Sequence, residues 1–212
     1  MQTALIPSYP GVTIERQDTV WSGRFAVDVV KFRHRRFDGA ISGVRTWELF
    51  RRGRAAALLP YDPWTDRVVL IEQFRLPALA AGFAPVLMEI PAGLCDDRED
   101  AEATVRREAR EEMNLGPDLV KPMLDVVLTA GGADERCTMF AGRVRAPPVG
   151  ADGIAGLAGL ACEQEDIRVH VLEAGLAIEN AAAGRYPNSV TTLALLWLGL
   201  RRERLRAEWL GV

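Results

Sequence analysis

The sequence predicts an α+β fold built around a mixed β-sheet. The first sign is the order of patterned segments: β-rich, then a helix, then β-rich again, then helices, instead of the regular strand–helix alternation of a doubly wound sheet. A second is composition, with 49% hydrophobic and 26% charged residues, which is ordinary for a globular chain. The third is length: 212 residues can bury a sizeable core without disulfide or metal staples. Cys95, Cys137 and Cys162 are odd in number, far apart and never in a CxxC spacing, so they read as reduced thiols. The net charge of −3 advertises neither a nucleic-acid nor a membrane surface, although a local arginine cluster can still bind phosphate.

Residues 12–52 read as strands with turns: VTIERQ, FAVDVVKFRH, a turn at Asp38-Gly39, and TWELFRR. Asp-Gly between strand-like runs is a hairpin signal. This stretch is rich in charge and thin in core, so it needs something to pack against. A denser β region follows, in which AAALLPYD and RVVLIEQFR flank the turn Asp62-Pro63-Trp64-Thr65-Asp66. A loose loop, LPALAAGFAP, leads to VLMEIPAG.

The clearest helix spans Ala101 to Met113. VVLTAGG, CTMFAGRV and IRVHVL read as further strands. Arg145 to Cys162, rich in Gly, Ala and Pro, reads as a long surface loop of the kind that serves as a lid. Two helices close the chain, Glu173 to Ala183 and Ser189 to Trp209, the second capped by Asn188 or Ser189. MQTALIPSYPGV has neither a basic n-region nor a long apolar run, so it does not read as a signal peptide. Leu193 to Leu200 is too short to span a bilayer. The expectation is a soluble cytoplasmic protein with no nucleic-acid or membrane partner.

The chemistry is concentrated in GLCDDREDAEATVRREAREEMNL, residues 93–115. Glu108, Glu111 and Glu112 are spaced i, i+3, i+4, which puts three carboxylates on one helix face. Carboxylates that close repel unless something offsets them, and Mg²⁺ does so while also taking phosphate oxygens. A solvated helix laced with ion pairs is the plainer reading, with Arg106 and Arg110 near Glu102 and Glu111. The wider spacing decides against it. Gly93, Glu99, Arg107, Glu108, Glu111 and Glu112 fit G-x5-E-x7-R-E-x-x-E-E, the Nudix box. Six fixed positions at about 7% usage each arise by chance at roughly 10⁻⁷ per start. Where the box usually ends in glycine this chain has Asn114, the best substitute for glycine at a left-handed helix end.

Beyond the box, VDVVKFRHRRFDG, RRGRAAALLPYDP, RVVLIEQFR, GIAGLACEQEDIRVHVL and the closing ALLWLGL resemble the ADP-ribose pyrophosphatase subfamily of Nudix hydrolases. The resemblance implies a Nudix α/β/α sandwich at 53–212 and an N-terminal antiparallel β-domain at 1–52. That β-domain would exchange contacts across the two-fold of a homodimer and help to build the substrate site. The implied activity is Mg²⁺-dependent hydrolysis of ADP-ribose, a small nucleotide sugar, to AMP and ribose 5-phosphate, with Mn²⁺ able to substitute.

By the same resemblance Glu108, Glu112, Glu165 and the backbone carbonyl of Ala92 hold metal. Glu163 matches the general base, with Glu111 as the competing choice. Arg75 matches a phosphate-binding arginine. Arg24, Phe25, Glu48 and Arg52 match positions around the adenosine, and Leu94, Thr129, Ala130, Gly131 and Glu135 complete the substrate contacts, Glu135 and the 129–131 turn on the terminal-ribose side. Two positions depart from the pattern: Ala130 stands where the subfamily has a marker proline, and Trp47 where it has an arginine that donates to the base. Tryptophan would stack on the base instead. Another nucleotide sugar such as GDP-mannose, or a sensor that binds without cutting, are the alternatives. Sensors usually have eroded box carboxylates, and here all are present.

Overall fold

The computed structural model describes residues 4–96 and 99–212, with the side chain of Glu163 outside the description. Two compact units emerge: Met1–Gly53 together with Val127–Arg136, and Arg54–Val126 together with Cys137–Val212.

The first unit is an antiparallel three-stranded sheet, β1 (Val12–Ser22), β2 (Ala26–His34) and β3 (Arg45–Arg51), in that order. Alternate residues Ala26, Asp28 and Val30 of β2 are buried, as a period of two requires. Buried Asp28 is satisfied by Gln17 Nε2 and Thr19 Oγ1, both at 2.8 Å, and by Arg51 Nη1 at 3.0 Å. Asp38-Gly39 does sit in the β2–β3 connection, with Gly39 at φ +86°, but within a long loop of residues 35–44 and not a two-residue hairpin.

The second unit contains an eight-stranded mixed sheet with helices. Its main path runs β10 (Ile154–Ala158), β11 (Ile167–Glu173), β5 (Arg67–Phe74), β4 (Arg54–Asp62), β9 (Arg136–Arg143) and β8 (Leu119–Val127). β4 and β5 pair only near their turn, at Tyr61↔Val68 and Asp62↔Arg67, and then splay apart. The freed edges are taken up by β6 (Val86–Glu89) on β5 and β7 (Ala92–Leu94) on β4.

From Ala55 to Asp62, β4 is buried on both faces, so apolar residues run continuously. One face carries Ala56 and Leu58 against Val105, Ala109 and Met113 of α2 (Ala101–Met113). The opposite pleat face carries Tyr61, whose ring lies 6.1 Å from Trp209 of α4 (Ser189–Leu210). Helices therefore cover both sides of the sheet, the α/β/α sandwich. α3 (Ala174–Ala182) packs with α4 and β11.

Four segments differ from the sequence reading. LPALAAGFAP contains a short helix, α1 (Leu76–Ala80), with Pro77 in its first turn, where a missing N–H costs nothing. VLMEIPAG is not one strand: β6 ends at Glu89, and Ala92–Leu94 forms β7 on the edge that β4 leaves open. VVLTAGG is strand only up to Val127; the strand begins earlier, at Leu119, and Thr129 to Gly132 form a turn. The supposed lid loop contains β10, paired to β11 through a bulge. No helix is long and apolar enough to cross a membrane among the described residues.

Candidate functional site

The box helix α2 is placed by its ends. Asp100 caps it, accepting from Ala103 N at 2.7 Å, and Asn114 closes it in the left-handed region at φ 56°. In the last turn of α2, Glu112 is turned inwards, only 3% exposed, and accepts from Ala92 N at 3.0 Å. Helix and strand β7 are thus joined at the residue expected to lend its carbonyl to a metal. The box glycine has a plain reason: a Cβ on Gly93 would come within 1.7 Å of Glu108 Oε1. Only glycine lets that carboxylate lie against the strand.

Arg107 braces the other box acids, reaching Glu111 Oε2 at 2.8 Å, Glu108 Oε1 at 2.9 Å and Glu99 Oε2 at 3.3 Å. Thr104 Oγ1 adds a bond to Glu99 at 2.9 Å. Hydrogen bonding from Arg107 holds Glu99 below the usual carboxylate range. Glu108 and Glu112 go the opposite way. Burial raises Glu108, although Arg107 counteracts it. Burial, followed by repulsion from Glu108, pushes Glu112 up to about 8.

Glu165 enters from the β10–β11 connection. Gly159 N donates to Glu111 O at 3.0 Å, tying that connection to α2, and Leu160 N donates to Glu165 Oε2 at 3.0 Å. Gly159 takes φ +99°, and a Cβ there would meet Glu165 Cβ at 2.8 Å. The charge of Glu165 also raises Glu108 and Glu112. Glu163 ends a 3-10 turn, Ala161–Glu163, just before left-handed Gln164; its side chain lies outside the described residues.

No three His, Cys, Asp or Glu side chains already surround one point among the described residues. The donor chemistry nevertheless fits a hard divalent cation. Glu112 is a buried carboxylate whose burial is offset by one backbone N–H, with Glu108 and Glu165 close enough to oppose its ionisation. A cation bound by oxygen ligands removes that cost.

Arg75 stands at the end of β5, next to α1. Its guanidinium grips Glu89 Oε2 through Nη2 at 2.8 Å and Nε at 3.1 Å, and feels the charges of Glu112 and Glu165. Glu89 was not anticipated from the sequence, although a carboxylate inside the apolar run VLMEIP is a signal in itself, because buried acids need partners. Leu94 lies on β7 opposite Ala55.

The remaining expected residues belong to the first unit. Arg52 sits with its guanidinium 4.2 Å from the Phe25 ring centre and bonds Glu135 Oε1 at 2.9 Å. Phe25 meets Phe50 edge-on at 5.7 Å, and Arg24 lies 5.8 Å from the Phe25 ring. Trp47 Nε1 donates to Gly131 O at 3.2 Å, with Arg45 5.3 Å from its ring centre. The Thr129-Ala130-Gly131 turn closes with bonds from Gly132 N and Ala133 N to Thr129 O. Glu48 pairs with Val29 across the sheet and is exposed. Asp134, also missed, accepts from Arg52 N at 2.7 Å and Gly53 N at 3.1 Å and pairs with Arg51 at 2.8 Å.

The NUDIX domain family matches residues 51–150. The chain is 40% identical over 198 residues to a protein of Escherichia coli K12 named ADP-ribose pyrophosphatase, covering 93% of this chain and 92% of that one. A Haemophilus influenzae protein of the same name is 34% identical over 205 residues, 95% of this chain and 92% of that one. A Yersinia pestis protein named GDP-mannose pyrophosphatase is 34% identical over 149 residues, 70% and 72% of the two chains. A crystal structure titled ADP compounds hydrolase shares the fold, with TM-score 0.62, 18% identity, and coverage of 92% of this chain and 98% of that one. With the box helix, its glycine and its buried glutamate in place, the chain belongs to the Nudix family, among relatives that bear the name ADP-ribose pyrophosphatase.

Proposed function

We propose that this Nudix hydrolase cleaves the diphosphate of ADP-ribose in the presence of Mg²⁺ or Mn²⁺, giving AMP and ribose 5-phosphate. The observation that carries the reading is Glu112, a buried carboxylate on the box helix bonded to Ala92 N, whose pKa burial and the neighbouring Glu108 raise. The names of the relatives identical at 40% and 34% support the substrate.

Glu108, Glu112, Glu165 and the Ala92 carbonyl would hold the metal, which supplies charge neutralisation on the diphosphate and a lowered pKa for water. Glu163 takes the proton of the attacking water, whose oxygen bonds the adenosyl phosphorus as the bond to the bridging oxygen breaks and that oxygen leaves with ribose 5-phosphate. Glu111, the competing base, is engaged by Arg107 at 2.8 Å, which favours a bracing role for it. Arg75 donates to the diphosphate and stabilises the charge that builds up there. Arg24, Phe25, Glu48, Arg52 and Trp47 contact the adenosine. Leu94, Thr129, Ala130, Gly131 and Glu135 complete the substrate contacts. The indole N–H of Trp47 is taken by Gly131 O, leaving its ring face to stack on a base.

A second reading, GDP-mannose, is favoured by the relative of that name. Formation of the nucleoside monophosphate should be measured over ADP-ribose, GDP-mannose and other nucleotide sugars, with each metal. Preference for GDP-mannose would replace the substrate; binding of ADP-ribose with no turnover of any sugar would replace the enzyme by a sensor. The protein is further proposed to be a cytoplasmic homodimer joined through residues 1–52, where Val20 and Trp21 of β1 and Trp47 and Phe50 of β3 are exposed, together with Phe37, Ile41 and Val44 of the β2–β3 loop.

A further inference from the structure

We propose that Glu89, which is buried, and Asn188 form a tether that fixes the direction of the Arg75 guanidinium, making both of them positioning residues for the diphosphate. The inference rests on the diphosphate reading of Arg75 given above.

Glu89 is the last residue of β6, with its side chain only 4% exposed, whereas that of Arg75 is 41% exposed. Both carboxylate oxygens are occupied. Oε2 accepts from Arg75 Nη2 at 2.8 Å, Arg75 Nε at 3.1 Å and Gln73 Nε2 at 3.3 Å, while Oε1 accepts from Asn188 Nδ2 at 3.0 Å and Arg75 Nε at 3.3 Å. A carboxylate held on both oxygens cannot rotate, so the guanidinium it grips cannot swing.

Asn188 does two jobs with the two ends of one amide. Its Oδ1 accepts from Thr191 N at 2.9 Å as the N-cap of α4, and its Nδ2 holds Glu89. Thr191 Oγ1 in turn accepts from Ile90 N at 3.0 Å, so the first turn of α4 is stitched to the residue after Glu89. Among the described residues Arg75 Nη1 takes no hydrogen-bond partner, and the arginine lies within reach of the fields of Glu112 and Glu165. The arrangement spends the Nε and Nη2 nitrogens of Arg75 on its own protein and leaves Nη1 for a ligand. An arginine held in advance loses less freedom when substrate arrives.

The test compares Glu89→Gln, Asn188→Ser, Arg75→Ala and the double variant Arg75→Ala/Glu89→Gln. Serine at 188 keeps a helix cap but cannot donate to Glu89 from the same place. Glu89→Gln should cut kcat/KM for ADP-ribose about 10²-fold, the scale of a misplaced catalytic group. Asn188→Ser should cut it about tenfold with the melting temperature nearly kept. Glu89→Gln should add less than twofold in the Arg75→Ala background, because a residue acting through another has nothing left to act on. Losses that multiply would overturn the tether and leave a general structural role. A second readout does not depend on turnover: the Arg75 Nε–H resonance, identified by its absence in Arg75→Ala, should exchange slowly with water in the wild type and quickly in Glu89→Gln. Unchanged exchange overturns the proposal. If the wild type cleaves no nucleotide sugar, the substrate reading fails while the Nε–H resonance still decides the tether.

Discussion

At the scale of single residues, the box acids divide by environment. Glu99 and Glu111 are bound to Arg107 and stand as braces, while Glu112 is buried and raised. This division sharpens the question of the base. Glu163→Gln should lower kcat by roughly 10²- to 10⁴-fold with KM little changed, because glutamine keeps the shape but accepts no proton. Under saturating Mg²⁺, a near-normal Glu163→Gln beside a dead Glu111→Gln would move the base to the helix.

Glu112 also gives a pH prediction. Its folded value, about 8, lies above its ordinary 4.5, so the metal-free protein is favoured by the proton on Glu112. That stabilisation is complete below about pH 4.5 and is lost as pH rises through 8. Metal binding needs the proton gone. Melting curves should therefore show Mg²⁺ stabilisation growing from pH 6 to pH 9 as metal-free stability falls, and Glu112→Gln should remove the trend. A Mg²⁺ shift that stays flat across this range would contradict it.

At the scale of elements, α2 is the best-determined piece of the fold. Its expected bounds, Ala101 to Met113, are those observed, since the cap at Asp100, the helical periodicity and the left-handed exit at Asn114 are all local. Asn114 replaces the usual glycine at φ 56°. Asn114→Gly should be neutral or stabilising by less than about 1 kcal/mol, whereas Asn114→Ala should cost about 1 kcal/mol, both read from urea denaturation. An alanine variant as stable as the glycine variant would mean that the cap carries no strain. The first-unit sheet is less self-sufficient. β1 and β3 are almost wholly exposed, and Asp28 with its three partners takes the central place that apolar residues would normally fill.

For the whole molecule, that exposed sheet motivates association. Single exposed apolar residues are unremarkable, but several on one three-stranded sheet need a partner surface. Light scattering at micromolar concentration should give twice the mass of one 23.3 kDa chain. Trp21→Glu or Phe50→Glu should shift it towards one chain; a monomeric wild type would remove the dimer and its role in substrate binding.

The box itself could be read from sequence because its geometry is helical arithmetic: residues three and four apart share a face whatever surrounds them. The left-handed end of α2 at Asn114 and the cap of α4 at Asn188 were legible for the same reason, each depending on neighbours within a few residues. What the sequence could not settle was set by distant partners. Ala92–Leu94 became a strand because β4 and β5 diverge, β10 formed because β11 offered an edge, and residues 127–136 joined the first unit through Phe50 and Trp47. Arg75 was visible as a charge at a strand end, but the acid that grips it and the asparagine 99 residues further on that holds that acid were not. Local periodicity fixes which carboxylates share a face; which of them are buried, and which arginine is held beside them, depends on desolvation and hydrogen bonds that only the packed sheet and helices supply.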